Sequence, residues 1–175
     1  MGDKKMLKIG EKVVYLSKRI LIISDIIDKD FGMGDLKKYY VLKDVNDQNN
    51  AIYLPVDSEL AVKNIRPLLT KKMINKAIDE SARTEVTYES AYKDRVNKYN
   101  ELIKENNVSK MLSVIYLLLQ KKNELLAMKK TLTNIDANCL QDLIRAITDE
   151  FSCVLKISKE EVLPYIEKRI AEVKR

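Results

Sequence analysis

The hydrophobic period of this chain changes once, near Pro67, and that single change restricts the fold more than any one residue does. Before it lie short runs rich in β-branched and aromatic residues: Val13-Val14-Tyr15, Tyr39-Tyr40-Val41-Leu42 and Ile52-Tyr53-Leu54. Each is bounded by Gly, Asp, Asn or Pro. After it, apolar residues recur every three or four positions to the end of the chain, the period of amphipathic helices. Strands followed by helices, rather than alternating with them, predict an α+β protein with a β module first and a helical module second.

The spacing predicts strands over Lys12–Leu16, Ile20–Asp28, Lys38–Lys43 and Ala51–Pro55, with a short fifth near Ala61–Ile65. Turn residues separate them: Asp30 to Asp35 with Gly32-Met33-Gly34, and Asn46-Asp47-Gln48-Asn49-Asn50. Short connections favour a meander of neighbouring strands that curls into a small barrel. Pro55 cannot donate to a sheet ladder, so it closes its strand or lies on an edge. Helices are predicted from Thr70 to about Glu80, Glu89 to Lys104, Val108 to Lys130, after Thr133, and from Ser158 to about Val173. Thr133-Asn134-Ile135-Asp136 and Ser158-Lys159-Glu160-Glu161 both have a hydroxyl at the cap and a carboxylate three residues on, as in a capping box. Leu140, Leu143, Ile144, Ile147 and Phe151 form the inward stripe of the fourth helix. Pro164 inside the last predicts a kink or a start displaced toward Val162. The polar break Ser81–Glu85 is the expected joint. The domains are then residues 1–68, a connecting helix at 69–81, and a helical domain at 82–175.

Composition excludes more than it identifies. The chain has no histidine, which removes the commonest general base, metal ligand and nucleophile partner together. Its four glycines form no phosphate-cradling loop, and its carboxylates are scattered among lysines. The expectation is a non-enzyme with no cofactor, no metal and no small-molecule substrate. No apolar run is long enough for a membrane span. The basic start, Met1 to Lys8, lacks the apolar core of a signal peptide, and a cytoplasmic protein is expected. Cys139 and Cys153 fall in one predicted helix, roughly 21 Å apart by its rise, and read as free thiols. The net charge of +6 is spread evenly along the chain and marks no polybasic arm.

Taken together, Gly10-Glu11-Lys12-Val13-Val14-Tyr15, Tyr39-Tyr40-Val41-Leu42, Leu54-Pro55-Val56-Asp57 with Ile65-Arg66, and Tyr88 through Tyr92-Lys93 resemble the CarD/CdnL family of bacterial transcription regulators. The resemblance extends over nearly the whole chain and rests most on the N-terminal motifs. It implies a Tudor/SH3-like barrel that binds the β subunit of RNA polymerase, with Lys29, Ile52, Tyr53, Leu54 and Pro55 near the contact. Alternation in the Ile52–Leu54 strand assigns one face to the core, and Tyr53 to the face left for a partner. The resemblance also implies a helical domain at promoter DNA, with Tyr88 at the position of a minor-groove wedge and Lys93 and Arg95 near phosphates. Departures accompany it. Lys18-Arg19 replaces the family's His-Gly, Tyr88 stands where the family has tryptophan, and Glu89-Ser90-Ala91 lacks the usual basic residues. A paralogue that binds polymerase without wedging DNA, or a Tudor-like scaffold for another protein, fits the same residues.

Overall fold

A computed structural model of the chain describes residues 6–32, 34–45, 49–59 and 64–173. The expected strand at Ala61–Ile65 and the turns through Met33 and Asn46–Gln48 lie partly outside these residues, as do Met1–Lys5. Five antiparallel strands come first: β1 (Lys12–Tyr15), β2 (Arg19–Lys29), β3 (Lys37–Asp44), β4 (Ala51–Pro55) and β5 (Ile65–Pro67). Then come helices α1 (Lys71–Ser81), α2 (Tyr92–Glu105), α3 (Val108–Ala127), α4 (Asn134–Leu155) and α5 (Lys159–Val173). The protein is therefore α+β. It divides into two compact units, Met1–Leu68 and Leu69–Arg175.

In the first unit the strand order is β4-β3-β2-β1-β5. The first four strands form the expected meander, whereas β5 returns beside β1 instead of extending it past β4. Among the described residues β4 and β5 are not paired with each other, so the sheet is open. Long β2 pairs with β1 through Arg19–Ile22 and with β3 through Leu21–Lys29, and its register shifts between Ile23 and Asp25. One face packs Val13, Leu21, Ile23, Tyr40, Leu42 and Leu54 into a core. The tight turn after β1 puts Leu16 and Ser17 at φ 51° and 56°, a region that side-chain-bearing residues enter only at a cost.

The second unit is a helical bundle built around Ile74, Ile78, Met111, Leu112, Ile115, Leu118, Ile147, Phe151 and Ile166. Residues 69–81, expected as a connector, belong to this bundle. Ile74, Ala77 and Ile78 of α1 sit in its core, the Leu69 amide donates to the buried Glu150 carboxylate at 2.9 Å, and Arg169 of α5 grips Asp79 at 2.6 Å. The break at Ser81–Glu85 is thus internal to the second unit.

Thr70, Asn107 and Thr133 cap their helices, each side chain accepting a backbone N–H of the first turn. At Ser158 the carboxylate half of the expected capping box forms, the Glu161 carboxylate accepting the Ser158 amide at 2.8 Å. Pro164 leaves the start of α5 at Lys159. The N–H it lacks would have bonded the carbonyl of Glu160, an exposed first-turn residue that water can satisfy. α3 ends three residues early because the chain enters the left-handed region at Lys129. Cys139 and Cys153 both lie in α4, each half-buried. Among the described residues no helix is long and apolar enough to cross a membrane.

Candidate functional site

The residues expected to contact a partner divide according to strand alternation. In β4, Leu54 is buried and Ile52 is half-buried, and both pack on the sheet core. Their side chains face the core, which leaves the main chain of these two residues for a partner strand. Tyr53, between them, points to the other face and is 38% exposed. The register places Val41 opposite Tyr53, and Tyr39 opposite Pro55. Pro55 is half-buried at the end of β4, and β4 is an edge strand. Among the described residues nothing pairs with its outer side.

Lys29, at the end of β2, joins Tyr53 although 24 positions separate them in the chain. Its Nζ lies 5.0 Å from the Tyr53 ring centroid and 4.7 Å from that of Phe31. Phe31 meets Tyr39 edge-on at 5.0 Å and Tyr53 at 5.4 Å. The β2–β3 loop makes this possible. Asp30 accepts the amides of Gly32 at 2.8 Å and Gly34 at 3.2 Å, both glycines at positive φ, and the turn carries Phe31 back over the sheet. Phe31 stays 48% exposed. Three aromatic rings and an ammonium group thus lie together beside an unpaired strand edge. Phe31 and Tyr39 are not among the residues that the sequence marks for this contact. The available signal was Phe31 itself, a large apolar residue inside an Asp/Gly turn.

The second expected site has the opposite character. Arg95 is 6% exposed. Its Nε donates to Asp136 Oδ1 at 3.1 Å, and the guanidinium also donates to the carbonyls of Glu89 and Ser90 at 3.0 and 2.7 Å. An arginine held this way does not reach a phosphate, which corrects its expected DNA role. Asp136, wholly buried, also accepts the hydroxyls of Tyr88 at 2.8 Å, Tyr99 at 2.8 Å and Thr133 at 2.6 Å. Tyr88 is half-buried against the helical core, and the Arg95 guanidinium and Lys121 ammonium lie 5.1 and 5.4 Å from its ring. Both ends of the expected wedge are therefore engaged.

This network also explains why α2 begins at Tyr92 rather than Glu89. The carbonyls of Thr87, Glu89 and Ser90 accept bonds from Lys98 and Arg95 side chains, outside any helical ladder. Burial pushes the Asp136 carboxyl up, but the bonds from Thr133, Tyr88 and Tyr99 and the Arg95 charge outweigh it and hold the group below its ordinary value. Burial and the bond to Asp136 push the Tyr99 phenol well up. Lys93 is exposed in the first turn of α2, next to Tyr92, which is 64% exposed.

No protein-family model matches this chain, and none of the curated proteins is significantly similar to it.

Proposed function

We propose that this chain is a transcription regulator of the CarD/CdnL type that docks on the β subunit of bacterial RNA polymerase through its N-terminal sheet, without using Tyr88 as a DNA wedge. The observation that carries this reading is the Lys29–Phe31–Tyr39–Tyr53 cluster beside the open edge of β4. An unpaired antiparallel edge accepts a partner strand through main-chain hydrogen bonds, and side chains flanking it supply specificity. Exposed aromatic residues are the side chains most enriched at protein contacts. Ile52 and Leu54 serve the contact indirectly, by fixing β4 on its core so that the edge is rigid.

A Tudor-like module is part of the same proposal. A long, bulged β2 shared between β1 and β3, with β5 returning beside β1, is the connectivity from which a small barrel closes. The engaged state of Tyr88 and Arg95 favours the form of the family function that lacks the wedge. Lys93 and Tyr92 are exposed in that segment and available to promoter DNA.

Co-elution of the full chain with purified polymerase core tests the proposal. The expected result is a complex that Lys29→Glu and Tyr53→Glu weaken and Tyr88→Phe does not. Failure of the unmodified chain to co-elute overturns the polymerase assignment. It leaves the edge as a scaffold for another protein.

A further inference from the structure

A groove on the second unit has no part in either site described above. Positions 137, 140, 141, 144, 145, 148 and 149 recur at helical spacing and make one stripe along α4, about 18 Å long. The end of α3, the α3–α4 loop and the first residue of α5 wall it in, enclosing about 610 Å³. Leu132, Leu140 and Ile144 give it an apolar floor, and Ala137 and Leu126 line its rim. Leu126 remains 63% exposed, although apolar side chains line the groove beside it.

The charges around the groove have one dominant sign. Lys122 stands on the α3 wall, Arg145 on the α4 wall and Lys159 at the α5 end. Asp149 is the single carboxylate in the lining, and Lys159 already bridges it at 2.5 Å. Neither Lys122 nor Arg145 has an ion pair among the described residues. Positive charge therefore flanks the apolar floor on both walls instead of gathering at one end, as a single anionic head group would require.

From this pattern we infer that the groove receives a short acidic amphipathic helix of a partner protein. A length of 18 Å corresponds to about twelve helical residues, or three turns. Its apolar stripe covers Leu126, Leu140 and Ile144, and its acidic flanks face Lys122 and Arg145, the helix-in-groove mode of recognition. The inference is independent of polymerase binding.

Fluorescence anisotropy of the full chain with labelled synthetic peptides tests it. The probe is a helical peptide with leucines at i, i+3, i+4 and i+7 and glutamates on both flanks. One comparator has the same composition in scrambled order, and another carries lysines in place of the glutamates. The expected result is saturable binding of the acidic helix alone, weakened about tenfold or more by Leu126→Glu and by Arg145→Glu. Both replaced residues are exposed, so the variants should fold, and retained circular dichroism verifies this. Tyr53→Glu should leave peptide binding intact, and Arg145→Glu should leave polymerase binding intact, which separates this inference from the proposed function. Equal binding of the scrambled or lysine peptide overturns it, as does wild-type affinity in both groove variants or no saturable binding by the acidic helix. If hexadecanoate binds and the peptide does not, the groove is instead a site for a small amphiphile. A dimer in sedimentation that Leu126→Glu makes monomeric would assign the groove to a second copy of the chain and also overturn the inference.

Discussion

The Lys29–Tyr53 cluster and the Tyr88–Arg95 cluster contain the same ingredients in opposite states. Each sets cations near an aromatic face at about the same range: Lys29 at 4.7 and 5.0 Å from Phe31 and Tyr53, Arg95 and Lys121 at 5.1 and 5.4 Å from Tyr88. The difference lies in what holds them. The second is organised by Asp136, a wholly buried carboxylate that takes up the phenol, the guanidinium and two further hydroxyls. On the sheet, Phe31 and Tyr53 are exposed beside an open strand edge. Aromatic–cation proximity is therefore a poor guide to recognition. Whether the polar ends are already engaged decides if such a cluster serves the fold or a partner.

Asp136→Ala should have the largest effect of any change at these two clusters. It leaves the buried Arg95 charge unpaired and strands the Tyr88 and Tyr99 hydroxyls, a loss of about 3–5 kcal/mol in urea unfolding. A loss below about 1 kcal/mol would mean that the network does not organise this unit.

The same network sets a pH window. The Asp136 carboxyl is held below its ordinary value, so its contribution is complete above the unfolded pKa of about 3.9 and is lost as pH falls through the lower folded value. The Tyr99 phenol is pushed up, so its contribution is complete below about 10 and declines as pH rises beyond that. Thermal unfolding across the acid and alkaline limbs should show both declines in the wild type. The acid limb should flatten in Asp136→Asn.

Tyr88→Phe separates anchor from wedge, because it keeps the ring and removes only the hydroxyl bonded to Asp136. An anchor loses about 1.5–3 kcal/mol of stability, as for a hydrogen bond to a charged group, with open-complex lifetime per folded molecule unchanged. A wedge keeps its stability, and a changed lifetime would restore the DNA role. At the sheet cluster, Tyr53→Glu should weaken polymerase binding by about tenfold, or ~1.4 kcal/mol, while unfolding shifts by less than about 0.5 kcal/mol. A large loss of stability there would make that cluster structural as well, and erase the contrast.

The smallest expected effect is a gain. Leu16, 43% exposed, adopts a left-handed conformation that asparagine tolerates better. Leu16→Asn should stabilise the first unit by about 0.5–1 kcal/mol in urea unfolding, with no effect on the helical unit.

Much of this molecule was legible in one dimension because the forces concerned are local. Thr70 and Thr133 cap helices through bonds to amides three residues on, within reach of any chain that turns there. Asn106 and Asn107 end one helix and begin another for similarly local reasons, a left-handed residue followed by a side-chain cap. The separation of Tyr53 from Ile52 and Leu54 follows from the two-residue period of a strand. By contrast, α2 began late because Arg95 and Lys98 reach back to carbonyls that a helix would have used. Nothing in the order of Glu89, Ser90 and Ala91 reveals that.

The order of residues is enough to set the change from strands to helices, the capped ends, the stripe of each helix and the face of each strand. These depend on backbone geometry and on neighbours within a turn or two. Which of the aromatic and basic residues remain available depends instead on how each unit packs. Arg95 and Asp136 lie 41 positions apart, as distant in sequence as many pairs that never meet, and Phe31 reaches Tyr53 only across three adjacent strands. Burial is a property of the whole packed unit. A buried charge is satisfied by whichever groups the packing brings to it, and the residues it takes up are then lost to any partner.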